Sequence, residues 1–197
     1  MVQDDGVHTP PSQMNQVHQR SEAQEPINGS DSVQPLDITI ERLPITHPDA
    51  ALLVEQVQQE YLALYGLRDE TPIDPSHFDD PHGDFLVGYV EGRPVATGAW
   101  RWRTDVVVDG CTLTAEVKRM YVVPRMRGAG LGRAMLAHME ESARATGAEA
   151  MVLETGIRQP EAIELYESSG YRPIAGFGFH KDVPLSRSMA RSLLPPD

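Results

Sequence analysis

One cysteine, Cys111, is all that the 197 residues contain, so the chain can close no internal disulfide, and a lone thiolate is too few for a structural zinc site. The seven histidines do not supply a metal site either, because no two stand four apart, the spacing that sets two ligands on one helical face. No metal is expected. Long apolar runs are missing too: nothing approaches the roughly 20 residues that cross a bilayer. Met1–Pro11 carries no basic cluster followed by an apolar stretch, so neither a membrane association nor a secretory leader is expected, and a cytoplasmic location follows. Positive charge is scarce, with 17 Lys and Arg against 29 Asp and Glu and a formal net charge of -12. That balance disfavours nucleic acid and anionic lipid as partners; it points to a cationic substrate only weakly, because solubility is the better explanation of acidity.

What is present is a globular mixture, 40% hydrophobic and 23% charged, in a length that suits one core. Residues 1–35, rich in Gln, Ser, Pro, Asp and Asn, hold too little apolar surface to offset chain ordering and read as a disordered N-terminal tail. A single domain is expected over 36–197. Leu36, Ile38 and Ile40 alternate with polar residues as in a half-buried strand ending near Pro44. Leu53, Val54, Val57, Tyr61 and Leu64 follow helical spacing over 50–64, with Gly66 as the stop. Residues 67–83, with three prolines and the acids Asp69, Glu70, Asp74, Asp79 and Asp80, read as a long loop, its acids either solvated or drawing in an amine.

A hairpin is expected from Phe85–Glu91, a turn at Gly92, and Pro94–Arg103, followed by a turn at 108–110 and a strand over 112–123. Leu131, Met135, Met139 and Ala143 mark a helix over 131–146 closed by Gly147, and 150–155 is a short buried strand. Strand, helix and strand in that order imply a parallel crossover. Pro160 opens another helix that Gly170 ends, and 171–174 with 185–190 supply final strands. The fold class is therefore α/β, a mixed sheet with helices.

The strongest local signal is Arg127-Gly128-Ala129-Gly130-Leu131-Gly132, placed after a strand and at a helix start. Glycines let successive backbone N–H groups converge, and the helix N-terminus adds positive potential, which together make a nest for a pyrophosphate. Arg125, Arg127 and Arg133 are candidate phosphate partners beside it. Two other phosphate loops fail against the same residues. The dinucleotide pattern needs glycine where Arg133 stands, and no Gly-Lys-Ser/Thr triplet occurs.

Four segments together resemble the GCN5-related N-acetyltransferase (GNAT) family. They are Ala115-Glu116-Val117-Lys118-Arg119-Met120-Tyr121-Val122, the Arg127–Gly132 loop, Leu153-Glu154-Thr155, and Ala162-Ile163-Glu164-Leu165-Tyr166 with Gly170-Tyr171. The resemblance runs from about Leu36 to the C-terminus. It implies two central parallel strands that splay apart, acetyl-CoA as cosubstrate with its pantetheine between them, and direct passage of the acetyl group to a primary amine. It further implies that Met120, Tyr121, Val122 and Val123, the loop residues with Arg133, and Gln159, Ala162 and Tyr166 hold the cofactor. Among these, the backbone N–H of Val122 would bond the thioester oxygen at a β-bulge. Relatives that pair leave a homodimer open.

The residues bear on each role. Val117, Met120 and Val122 break period-two alternation, which fits a bulge or burial on both faces. Tyr166, which matches the family's tyrosine near the cofactor sulfur, is the candidate general acid or else a core residue. Glu116 is the leading candidate base, or else a solvent-facing partner of Lys118, and Glu154 is the backup. Many relatives carry an asparagine where this chain has Arg158-Gln159-Pro160, so Gln159 is a substitute contact. His180 faces the acceptor or lies on an exposed loop. Cys111, the sole thiol, falls in a turn away from the motifs, which favours a ternary complex without a covalent enzyme intermediate. The competing class is a noncatalytic acyl-CoA sensor that keeps the glycine loop without turnover.

Overall fold

In a computed structural model, which describes residues 37–195, the first helix begins where its caps dictate. The expected tail over 1–35 lies outside the described residues. The short strand β1 (Thr39–Arg42) leads into helix α1 (Pro48–Tyr65). The His47 side chain accepts the Asp49 N–H at 3.3 Å, Pro48 fits the first turn, and Gly66 ends the helix in the left-handed region, its N–H donating to the Leu62 carbonyl. Residues 67–82 form the expected loop, with one 3-10 turn at Pro75–Phe78. Strands β2 (Gly83–Val90) and β3 (Arg93–Trp102) make the hairpin, turning through Glu91 and Gly92, both at positive φ. Sequence reasoning placed Gly83 in the loop. It belongs to β2, because a Cβ there would sit 2.2 Å from the Trp100 carbonyl oxygen across the hairpin.

Strand β4 (Thr114–Val122), helix α2 (Leu131–Ala145), strand β5 (Ala150–Gly156), helix α3 (Pro160–Ser168), and strands β6 (Arg172–Pro173) and β7 (Ser186–Ser192) complete the domain. The seven strands form one mixed sheet in the order β1-β2-β3-β4-β5-β7-β6, with β4 and β5 the parallel pair. The expected strand over 171–174 shrinks to two residues, and Pro173 within it has no N–H to give a ladder.

Alternation sorts the side chains onto two faces. Leu86, Trp100, Val117, Met151 and Leu153 pack under Met135, Leu136 and Met139 of α2 and Tyr166 of α3. Phe85, Val87, Ala99 and Tyr121 pack against Ala50, Leu53 and Val57 of α1. Further along that second face, Ala150 and Val152 meet Phe177 of the 174–185 loop. Helices α2 and α3 thus cover one side of the sheet, and α1 with the two long loops covers the other.

Candidate active site

The β4–β5 pair is in register for only three residues, Thr114–Glu116 against Ala150–Val152, although both strands continue. Beyond that point they part. The cause lies on the other edge of β4: Ala99 pairs with Lys118 and Thr97 with Tyr121, so Gly98 alone faces Arg119 and Met120. One residue opposite two is a β-bulge, and Arg119 takes a positive φ of 51° to make it. The expected bulge is present, but it is centred on Arg119 and Met120 rather than Val122, which is back in register opposite Ala96. The irregular amides therefore belong to residues just before Val122.

The gap opens into a cavity of about 600 Å³, its mouth included, lined by Val117, Met120, Leu153, Gln159, Ala162 and Tyr166. Tyr166 is buried and donates its hydroxyl to the Met120 sulfur at 3.4 Å. Burial, and after it the neighbouring Tyr61, pushes its phenol above the ordinary value. Tyr121 and Val123 turn into the α1 side, so only their backbone is near the gap. The Gln159 side chain stays local, its Oε1 accepting the Gly156 N–H at 3.4 Å.

At the head of the gap, Gly130 caps α2 in the left-handed conformation and no side chain caps the helix. The first-turn amides are thus left for a ligand or water, next to Gly128 at a φ of 77°. A Cβ on Gly132 would lie 3.2 Å from Leu165 and 3.7 Å from Met120, so glycine lets the helix start sit close over α3 and the bulge. Leu131 anchors the turn in the α1 core, whereas Ala129 is exposed. The arginines are less free than expected. Arg127 pairs with Glu60 and donates to the Val122 carbonyl at 3.0 Å, and Arg133 reaches the hydroxyls of Ser168 and Ser169. Only Arg125 extends into solvent without a side-chain partner among the described residues.

The opposite face of the gap is ionic. Glu116, 0% exposed, takes Arg101 at 2.9 Å and Arg103 at 3.0 Å on one oxygen and Lys118 at 2.8 Å on the other. The solvent-facing reading of Glu116 is therefore replaced by a buried clamp. Burial alone would raise its carboxyl; Lys118, then Arg101 and Arg103, outweigh it and hold the carboxyl below the ordinary range. Glu154 behaves oppositely. It makes no ion pair among the described residues, its shielded Oε1 has no hydrogen-bond partner, and burial, opposed by Lys118 and reinforced by Glu116, leaves its carboxyl raised.

A second network was missed by sequence reasoning, which read the 67–83 acids as solvated or as drawing in an amine. Asp69 pairs with buried Arg119 at the bulge, accepts the Thr71 N–H at 2.9 Å, and has its own N–H held by Gln58 at 2.9 Å. Its carboxyl is held at about 2: burial pushes upward, and the charge of Arg119 with the Thr71 hydrogen bonds overrides it. His180 is 3.1 Å from the Thr71 hydroxyl, half-buried in the wall rather than on an exposed loop. Cys111 is buried in a small bridge with Val108 and does not line the gap, and burial raises its thiol. The only available signal for the Asp69–Arg119 pair was an acid in a long loop and an arginine on an irregular strand, separated by 50 residues.

The profile of the Acetyltransferase (GNAT) family matches residues 53–171. An IAA acetyltransferase of Azospirillum brasilense is 32% identical over 157 residues, covering 80% of this chain and 99% of that protein. The uncharacterized N-acetyltransferase YjgM of Escherichia coli is 30% identical, with coverage of 73% and 87%. Among solved structures, a Klebsiella pneumoniae protein assigned to the acyl-CoA N-acyltransferases superposes with a TM-score of 0.62 at 29% identity, covering 80% of this chain and 98% of that one. A GNAT-family acetyltransferase from Staphylococcus aureus reaches a TM-score of 0.62 at 19% identity, covering 80% of this chain and all of that one, a likeness of fold.

Proposed function

Because the chain belongs to the GNAT family of acetyltransferases, we propose that its 36–197 domain moves an acetyl group from acetyl-CoA to a primary amine, by direct transfer in a ternary complex in the cytoplasm. The observation that carries this reading is the parting of β4 and β5 directly beneath the uncapped start of α2. A diphosphate fits the free amides there, and a thin pantetheine arm fits the gap between Met120, Leu153 and Ala162. When bound, acetyl-CoA supplies an acetyl group activated as a thioester.

The chain's own groups serve the transfer from two sides. Amides at the Arg119–Met120 bulge polarise the thioester carbonyl, in the place the resemblance gave to Val122. Glu154, on the loop-covered side, takes the proton that an ammonium must shed before its nitrogen can attack. Nitrogen bonds to the acetyl carbon as the carbon–sulfur bond breaks, Tyr166, on the helix side, gives a proton to the departing thiolate, and the second proton shed by the acylated nitrogen restores the phenol. Glu116 is a positioning residue here, fixing Arg101, Arg103 and Lys118 around the base.

Isothermal titration with CoA and a thiol-release assay with acetyl-CoA and amines test this reading. Binding together with amine-dependent CoA release is expected, and absence of binding overturns it. Tyr166→Phe should reduce kcat about 10²-fold with CoA affinity unchanged. An undiminished kcat removes the phenol from the mechanism.

A further inference from the structure

A second cavity, about 790 Å³ with its mouth included, adjoins the first along Glu154, Thr155 and Gln159. Tyr61, Asp69 and His180 also border both cavities, so the polar groups gather at the junction. The far wall is mainly hydrocarbon: Tyr65 from the end of α1, Leu67 from the loop that follows, and Val183 and Leu185 from the loop before β7, with Ser186 and the Tyr65 hydroxyl as its polar groups. Leu67, Val183 and Leu185 are 59%, 42% and 39% exposed, three aliphatic side chains converging on one recess, which is where an apolar body would be desolvated. Gly156 leaves room for Tyr65 in this wall, since a Cβ there would fall 1.8 Å from the Tyr65 hydroxyl oxygen.

Charge narrows the occupant. Among the described residues, no Lys or Arg lines this cavity. The two cations at its edge in the first cavity are tied to carboxylates, Lys118 to Glu116, which Arg101 and Arg103 share, and Arg119 to Asp69. Of the two carboxylates at the junction, Asp69 is engaged by Arg119, and Glu154 alone keeps an oxygen without a partner. An acceptor whose body carries a carboxylate or phosphate would set an anion against Leu67, Val183 and Leu185, where no Lys or Arg lines the recess. A polyamine would press a second ammonium against Leu67, Val183 and Leu185.

We propose that the acceptor is a small primary amine borne on an uncharged apolar body, an arylalkylamine in chemical class, with its nitrogen at Glu154 and its body between Leu67, Val183 and Leu185. This assignment rests on the acetyl-transfer reading above. The test measures kcat/KM at saturating acetyl-CoA for 2-phenylethylamine, phenylalanine, spermidine and a short peptide with a free N-terminus, with CoA affinity measured in parallel. The arylalkylamine should exceed each of the others by about 10²-fold or more. Val183→Asp, at an exposed position, should raise KM for 2-phenylethylamine about ten-fold with CoA affinity and melting temperature unchanged, and Leu67→Asp, on the other loop of that wall, should do the same. Preference for the amino acid, the polyamine or the peptide overturns the acceptor assignment and leaves acetyl transfer standing. So does CoA binding with no member of the panel acetylated, or a KM that neither variant moves. Failure to bind CoA overturns the transfer reading itself.

Discussion

Glu154→Gln is expected to lower kcat about 10³-fold at neutral pH while leaving CoA affinity and folding intact. An amine acceptor with a pKa near about 10 arrives as ammonium, and a neutral amide cannot take its proton. The pH profile carries the sharper test. Glu154 accepts a proton only when ionised. Burial raises its carboxyl above the ordinary 4.5, Lys118 opposes that, Glu116 adds to it, and His180 and Arg103 pull it back less far. Wild-type kcat should therefore fall as pH drops through a value above 4.5. The variant should have no limb there, its residual rate rising only with the free-amine fraction. An acidic limb that survives in Glu154→Gln would return the role to another group. Glu116 is the weaker alternative because three cations hold its carboxylate below the ordinary range, which makes it less basic.

The parts of this molecule that local physics determines were readable in the chain. Helix α1 was expected to stop at Gly66, and α2 to start at Leu131 behind a glycine turn; both do, because caps and periodicity are short-range properties. The bulge was also readable as a break in alternation, though only to within a few residues: Val117, Met120 and Val122 all avoid solvent, and alternation alone does not say which residue is extra. The fate of charges was not readable. Glu116 beside Lys118 looks the same in sequence whether the strand face meets water or, as here, is buried with Arg101 brought in from β3 and Arg103 from just beyond its end. Asp69 likewise depends on Arg119, whose backbone leaves the strand conformation at the bulge. Each of these pairings crosses elements distant in the chain, and it separates one carboxylate that holds charges in place from another that is left free to work.

Removal of the clamp should therefore be costly to the fold before it is costly to the chemistry. Glu116→Ala leaves Arg101, Arg103 and Lys118, side chains only 13%, 13% and 11% exposed, converging without their shared anion. Breaking a buried ionic cluster from one side destabilises by about 3–5 kcal/mol, a large fraction of a domain's stability. Denaturant unfolding at pH 7 should show that loss as a lower midpoint with little change in slope. The sign of the pH dependence follows from the direction of the shift. The folded-state carboxyl lies below its ordinary 4.5, so the contribution of Glu116 is complete above that value and is lost as pH falls through the folded one. The gap between wild type and Glu116→Ala should accordingly hold steady from pH 7 down to about 5 and narrow at lower pH. Asp69, held at about 2 by Arg119, remains in both proteins and cancels in the comparison. A gap that widens on acidification would mean that Glu116 is protonated in the folded protein, and the arrangement of three cations around one carboxylate would need another explanation.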